Sequence, residues 1–292
     1  MLTDTDNYKT EAVGHGSVLS ELLAEDFDFK GQPLSGSTHR IHAFPAKFPP
    51  QLPAKFISRL TSPGDVVLDP MMGSGTTLVE ASEQGRTAIG FDLNLLAVKQ
   101  CRVKTTPIHD LDLLTRLSEN IAAVARDGLR YTDLDGYLSN IFDEPTREFV
   151  DYWFSPQSQL EVATLSQAIE LVTNQIDDTV SRPAIREFFE VALSAIIVTK
   201  SGGITKARDL AHGRAHIAPD KAPKDGIRQF ELRCRQNIQA LGELPNAELG
   251  PVFASVADAR DLRSKRTCRR RIGQARRDVA TLRQCYRLHE SA

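Results

Sequence analysis

The chain has 292 residues, 41% of them hydrophobic, and a formal net charge of −2, which suits a globular protein of one large or two small domains. No stretch approaches the roughly 20 apolar residues of a membrane span, and an N-terminus carrying Asp4, Asp6 and Glu11 lacks a signal peptide's basic and apolar blocks, so a cytoplasmic protein is expected. Cys101, Cys234, Cys268 and Cys285 form no C-x-x-C pair, so neither a disulfide framework nor a zinc site is expected and all four read as free thiols.

In chain order, residues 1–37 read as a polar arm with one short amphipathic turn around Val18–Leu23. His39 to Pro53 is rich in Pro, Phe and Lys, which predicts no regular helix before Leu52-Pro53 and helical spacing over Ala54–Leu60. Ser62-Pro63-Gly64-Asp65 marks a turn. Val66-Val67-Leu68 is a short buried strand, Thr77–Gln84 a helix ended by Gly85, Thr87–Asp92 a second buried strand and Leu95–Lys104 a second helix. Long helix-periodic segments follow, among them Leu111–Ala125, Gln157–Thr173 and Ala184–Thr199, before Pro251–Val256 returns to strand and Ala257–Leu262 to a loop. The expected organisation is an α/β domain from 38–106 and 246–262, interrupted by a helical insertion over 107–245, with a tail over 263–292.

That tail is a different material. Ten cations (Arg263, Lys265, Arg266, Arg269, Arg270, Arg271, Arg276, Arg277, Arg283, Arg287) stand against two acids (Asp278, Glu290), so everything before them is acidic on balance.

The chemistry concentrates where the first strand ends, in Asp69-Pro70-Met71-Met72-Gly73-Ser74-Gly75-Thr76-Thr77. Glycines let a backbone approach a ligand closely, and the helix that follows offers unsatisfied N–H groups to an anion, which fits a cofactor with a methionine tail. A phosphate-binding loop would need Lys after its last Gly, and Gly75 is followed by Thr76-Thr77; a dinucleotide loop would need a third small residue where Leu78 stands. Asp92, ending the second strand about 20 residues on, is placed to accept hydrogen bonds from both hydroxyls of a ribose, and could equally cap the next helix.

Phe44-Pro45-Ala46-Lys47-Phe48-Pro49-Pro50, the loop Leu68–Thr77 and Gly90-Phe91-Asp92 resemble motifs X, I and II of DNA methyltransferases that act on an exocyclic amino nitrogen. The resemblance is closest over residues 39–100. It implies an open, mainly parallel, Rossmann-like class I methyltransferase sheet, incomplete at its C-terminus, with S-adenosyl-L-methionine as cofactor and double-stranded DNA as partner. By the same resemblance Phe44, Lys47, Asp69, Pro70, Gly73, Ser74, Gly75, Thr76, Thr77 and Asp92 would surround the cofactor, and Asp258, in the segment after the third strand, would contact its adenine amino group. The implied activity is site-specific methylation of cytosine N4 or adenine N6, as in restriction–modification. No cysteine follows a proline, so a carbon-methylating mechanism through a Pro-Cys nucleophile is not expected. Similar loops occur in RNA guanine amino-methyltransferases, and a non-catalytic cofactor- or nucleic-acid-binding remnant is a third reading.

The resemblance also implies an S-P-P-Y or D-P-P-Y loop that grips the target amino group and stacks the flipped base. No such tetrad occurs in the 292 residues, so no catalytic residue is assigned. Phe154-Ser155-Pro156-Gln157 and Asp143-Glu144-Pro145 come nearest and read as helix starts. The motif is due shortly after Asp261-Leu262, where the basic tail begins. Back-translation offers one account: Val279-Ala280-Thr281-Leu282-Arg283 written GTC-GCC-ACC-CTA-CGC reads, one base on, TCG-CCA-CCC-TAC, or Ser-Pro-Pro-Tyr. Frameshifting of the tail is therefore an expectation, as is a partial or inactive chain; a basic nucleic-acid-binding arm is the other account.

Elsewhere, His212 and His216 share a spacing of four but have Gly213 between them and no third ligand nearby, so no metal is expected. Lys200, Lys206, Arg208, Arg214, Lys221 and Lys224 form a loose basic stretch suited to a solvated loop or to phosphate contacts. Trp153, Phe154, Phe188 and Phe189 sit among helix-periodic residues and read as core. Nothing in the sequence sets the oligomeric state or the recognition sequence.

Overall fold

A computed structural model describes residues 17–31, 38–45, 47–197, 203–206, 224–244 and 249–261. In chain order the elements are α1 (residues 17–23), α2 (Gln51–Leu60), β1 (Val66–Asp69), α3 (Thr76–Glu83), β2 (Thr87–Asp92) and α4 (Leu95–Thr105). They are followed by α5 (Leu111–Gly128), α6 (Leu134–Ile141), α7 (Glu144–Trp153), α8 (Pro156–Asn174), α9 (Arg182–Ile197), α10 (Gly226–Gly242) and β3 (Val252–Val256), with a short 3-10 turn at Thr38–Arg40. They divide into two compact units, the first holding Met1–His39, Ala46–Cys101 and Pro245–Ala292, the second Arg40–Pro45 and Arg102–Leu244.

The first unit is built on a parallel sheet in the order β1-β2-β3. Asp69 lies opposite Gly90 and Asp92 opposite Val256, so the C-terminal ends of the three strands form one edge. Side chains alternate across such a sheet. On one face Val67, Ala88, Val252 and Ala254 pack with Ile57 of α2, Leu78 and Ala81 of α3, and Val98 and Cys101 of α4. The other carries Ile89, Phe91 and Phe253. Val66 and Leu68 share that second face but are 45% and 47% exposed. Strands β1 and β3 are each paired on one side among the described residues, and both leave apolar surface uncovered, Val256 of β3 being 43% exposed. This is an open, parallel α/β arrangement of the Rossmann-like kind that the sequence led us to expect, with three parallel strands among the described residues.

The start of α2 corrects the sequence reading, which delayed helix to Ala54. The helix begins at Gln51 with Pro53 inside its first turn, where a missing N–H leaves no helical bond unmade. The two proline look-alikes of the catalytic tetrad are indeed helix starts. Asp143 accepts from Thr146 N–H at 3.1 Å with Pro145 in the first turn of α7, and Ser155 accepts from Ser158 N–H at 3.1 Å with Pro156 opening α8.

The second unit is helical. Asp110, Asp133 and Asp225 cap α5, α6 and α10 through their side chains. Leu114 and Ile121 of α5, Leu165 and Ile169 of α8, Phe188 and Phe189 of α9, and Phe230 of α10 form its core. Phe188 meets Phe189 edge-on at 5.2 Å between ring centres. Glu161 of α8 ties in α10 by accepting the Gly226 N–H at 2.7 Å. Phe154 packs against this core, whereas Trp153 does not belong to it: its ring lies 5.0 Å from Tyr152 and 6.3 Å from Phe149, both exposed. Helix α7 buries no residue, so its aromatic stripe follows helical spacing without reaching an interior.

Candidate functional site

The site is assembled at the C-terminal edge of the sheet, where open α/β sheets bind their ligands. At the end of β1, Asp69 Oδ1 accepts the Met71 N–H at 3.1 Å, turning the chain outward. Pro70 and Met71 are exposed. The loop then returns inward: Met72 N–H donates to the Phe91 carbonyl of β2 at 3.0 Å, and Gly75 N–H to the Met72 carbonyl at 2.9 Å. Gly73 and Gly75 have φ of 52° and 83°, the left-handed region that glycine enters without a steric cost. At Gly75 space forbids a side chain as well, since a Cβ would stand 2.4 Å from the Cys101 Sγ of α4.

Gly75 also caps α3 and, having no side chain, makes no side-chain cap bond to that helix's first turn. The first-turn N–H groups of Thr76, Thr77 and Leu78 therefore lie at a helix N-terminus suited to an anion. Ser74 and Thr76 are buried, and Thr77 half-buried.

Asp92 joins the two motifs. Its Oδ2 accepts the Gly73 N–H at 2.9 Å and its Oδ1 the Asn94 N–H at 2.8 Å. Asn94, not Asp92, caps α4, accepting from Leu96 N–H at 2.9 Å. Each carboxylate oxygen has more than one acceptor direction, so both retain capacity for a ligand hydroxyl. At the end of β3, Ala257 N–H donates to the Asp92 carbonyl at 3.1 Å, which brings Asp258 to the same edge. The Asp258 carboxylate is engaged by Arg260, through its guanidinium at 3.0 Å and its backbone N–H at 2.9 Å, which holds its pKa down to about 2.

Lys47 is half-buried, its ammonium donating to the His39 carbonyl at 2.7 Å, and burial lowers its pKa. The first unit thus holds Lys47, Asp69, Pro70, Gly73, Ser74, Gly75, Thr76, Thr77, Asp92 and Asp258; Phe44 belongs to the second. His39 and Glu80, which the sequence reading passed over, form a buried pair at 2.8 Å. Glu80 follows Thr76 by four residues and so lies on the same helix face, a spacing that could have flagged it; no sequence signal marks His39. His212, His216 and the tail from Arg263 lie outside the described residues, as do Cys268 and Cys285, while Cys101 and Cys234 are buried. Among the described residues no cluster of His, Cys, Asp and Glu could hold a metal ion, and no helix is long and apolar enough to cross a membrane.

A glycine loop between a parallel strand and its helix, with an acid ending the next strand, is the arrangement of a Rossmann-like α/β unit. Residues 16–102 match the family described as DNA methylase. The chain is 29% identical over 163 residues to the Type II methyltransferase M.MvaI of Kocuria varians, covering 55% of this chain and 34% of that protein. It is 48% identical over 56 residues to the Type II methyltransferase M.MjaII of Methanocaldococcus jannaschii, covering 19% and 11%. Against the Type II methyltransferase M.PvuII of Proteus hauseri it is 34% identical over 109 residues, covering 32% of each. Over residues 16–102 the chain is thus similar to DNA methylases, whose reaction calls for a methyl donor. It spans about a third or less of the length of these relatives.

Proposed function

We propose that this chain supplies the cofactor-binding part of a restriction–modification DNA methyltransferase, with S-adenosyl-L-methionine as donor and cytosine N4 or adenine N6 in double-stranded DNA as acceptor. The observation that carries the reading is the Asp92 carboxylate: it is bound to the Gly73 N–H of the glycine loop and keeps acceptor capacity beside the N-terminus of α3, whose cap Gly75 has no side chain. The donor set matches the two polar ends of such a cofactor. Asp92 would accept the ribose hydroxyls, and the first-turn N–H groups of α3 would hold the methionine carboxylate. Bound there, the cofactor supplies an electrophilic methyl group. The chain's part is to orient it, with Lys47, Asp69 and Asp258 as further polar contacts; for Asp258 that means exchanging or sharing its contact with Arg260.

Gripping the target amino group would require the S-P-P-Y or D-P-P-Y tetrad, which the 292 residues lack. Calorimetry with S-adenosyl-L-methionine, followed by transfer of a labelled methyl group to duplex DNA, separates the two halves of the function. Saturable binding supports the cofactor site, and absence of binding rejects it. Transfer by the 292-residue chain alone would reject the assignment of catalysis to the missing tetrad.

A further inference from the structure

The buried contact between His39 and Glu80 is not accounted for by any step above. Glu80 sits on α3 one turn below Thr76, on the helix that the glycine loop opens. Its Oε1 meets His39 Nε2 at 2.8 Å, with the two side chains 8% and 2% exposed and 41 residues apart in sequence. The His39 carbonyl in turn accepts the Lys47 ammonium at 2.7 Å. One residue therefore joins the helix of the glycine loop to the lysine of the Phe44–Pro50 motif.

Burying such a pair gains little stability over apolar residues of similar volume, because desolvation offsets the attraction. Stability alone is thus a poor reason for it. Directional hydrogen bonds do fix register, as an apolar contact cannot, and a binding site tolerates only small displacements of its polar groups. Lys47 has its carbonyl anchor on His39, and His39 has its ring anchor on α3, so the position of Lys47 is referenced to the glycine loop through two bonds.

We propose that His39 and Glu80 are positioning residues for the cofactor site, holding Lys47 in register with the glycine loop. The inference rests on the cofactor reading given above. Neither residue need touch the cofactor.

The test is calorimetry with S-adenosylhomocysteine on the full chain, with thermal melting alongside. In the apolar variant His39→Leu/Glu80→Leu, the melting midpoint should stay near that of the wild type while affinity falls by about tenfold or more. Glu80→Gln, which keeps a hydrogen bond to the ring, should bind within about threefold of wild type. Lys47→Met should weaken binding in the wild-type background and add little in the apolar background, since the lysine would already be out of register. Wild-type affinity in the apolar variant, or fully additive losses in the cycle with Lys47→Met, would overturn the proposal. If the apolar pair does not fold, His39→Gln takes its place in the same cycle with the same outcomes. Wild-type protein that binds no S-adenosylhomocysteine defeats the cofactor reading itself, a result distinct from a wild type that binds and an apolar variant that binds equally well.

Discussion

Asp92 and Gly73 are 19 residues apart, on the second strand and in the loop after the first, and the carboxylate of one accepts the backbone N–H of the other at 2.9 Å. That bond makes the two motifs a single object. The acid fixes the loop's path, and the loop brings the acid to the strand ends with its other acceptor directions open.

Gly75→Ala should cost several kcal/mol of stability, whereas the same substitution at an ordinary helix position gains about 0.5–1 kcal/mol. Two separate penalties act: a left-handed φ of 83° and a Cβ placed 2.4 Å from Cys101 Sγ. Adding Cys101→Ala should recover only part of the loss, because the Cys101 Cβ would still stand at 2.8 Å and the backbone strain would persist. Urea unfolding of the two variants measures this, and full recovery would show that the backbone term is absent.

Glu83 gives the first unit a pH dependence. Burial, helped by the charge of Glu80, lifts its pKa from 4.5 to about 7. The folded state therefore holds this proton over a range where the unfolded chain has released it. The stability linked to that proton is fully present below about pH 4.5 and is lost as the pH rises through 7. Glu83→Gln should raise the melting temperature at pH 8 and leave it unchanged at pH 4. Equal effects at both values would contradict the assignment.

Strand β1 presents Val66 and Leu68 half exposed beside an edge unpaired among the described residues, an arrangement that favours edge-to-edge association. Val66→Thr/Leu68→Thr places β-branched residues at both positions while removing apolar surface. Light scattering of the variant should show less self-association than the wild type at the same concentration. A wild type that stays monomeric at high concentration, with a sharp cooperative melt, would contradict this.

The sequence was most legible where periodicity and glycine chemistry act locally. Thr87–Asp92 appears as the strand expected, and the helices at Leu95, Leu111 and Pro156 begin within a residue of their reading. Capping residues made Asp143-Glu144-Pro145 and Ser155-Pro156 readable as helix starts rather than as relics of a catalytic tetrad. Pro53 misled because a proline early in a helix looks, by composition alone, like a proline before one. Trp153 misled because helical spacing marks a face without saying whether anything covers it. Within the site, Gly73, Gly75 and Asp92 were legible from their motifs, but the His39–Glu80 pair was not. It joins residues 41 apart through tertiary structure, and no local pattern records such a contact.

The most direct test of the central claim is calorimetric titration of the full chain and of Asp92→Asn with S-adenosyl-L-methionine. Asparagine replaces one acceptor oxygen by a donor and removes the charge, so the account predicts saturable binding by the wild type and a loss of tenfold or more in the variant, about 1.5–3 kcal/mol, with a lower melting temperature because the Gly73 or the Asn94 N–H loses its acceptor. Binding of equal affinity by both proteins, or none by the wild type, would contradict it.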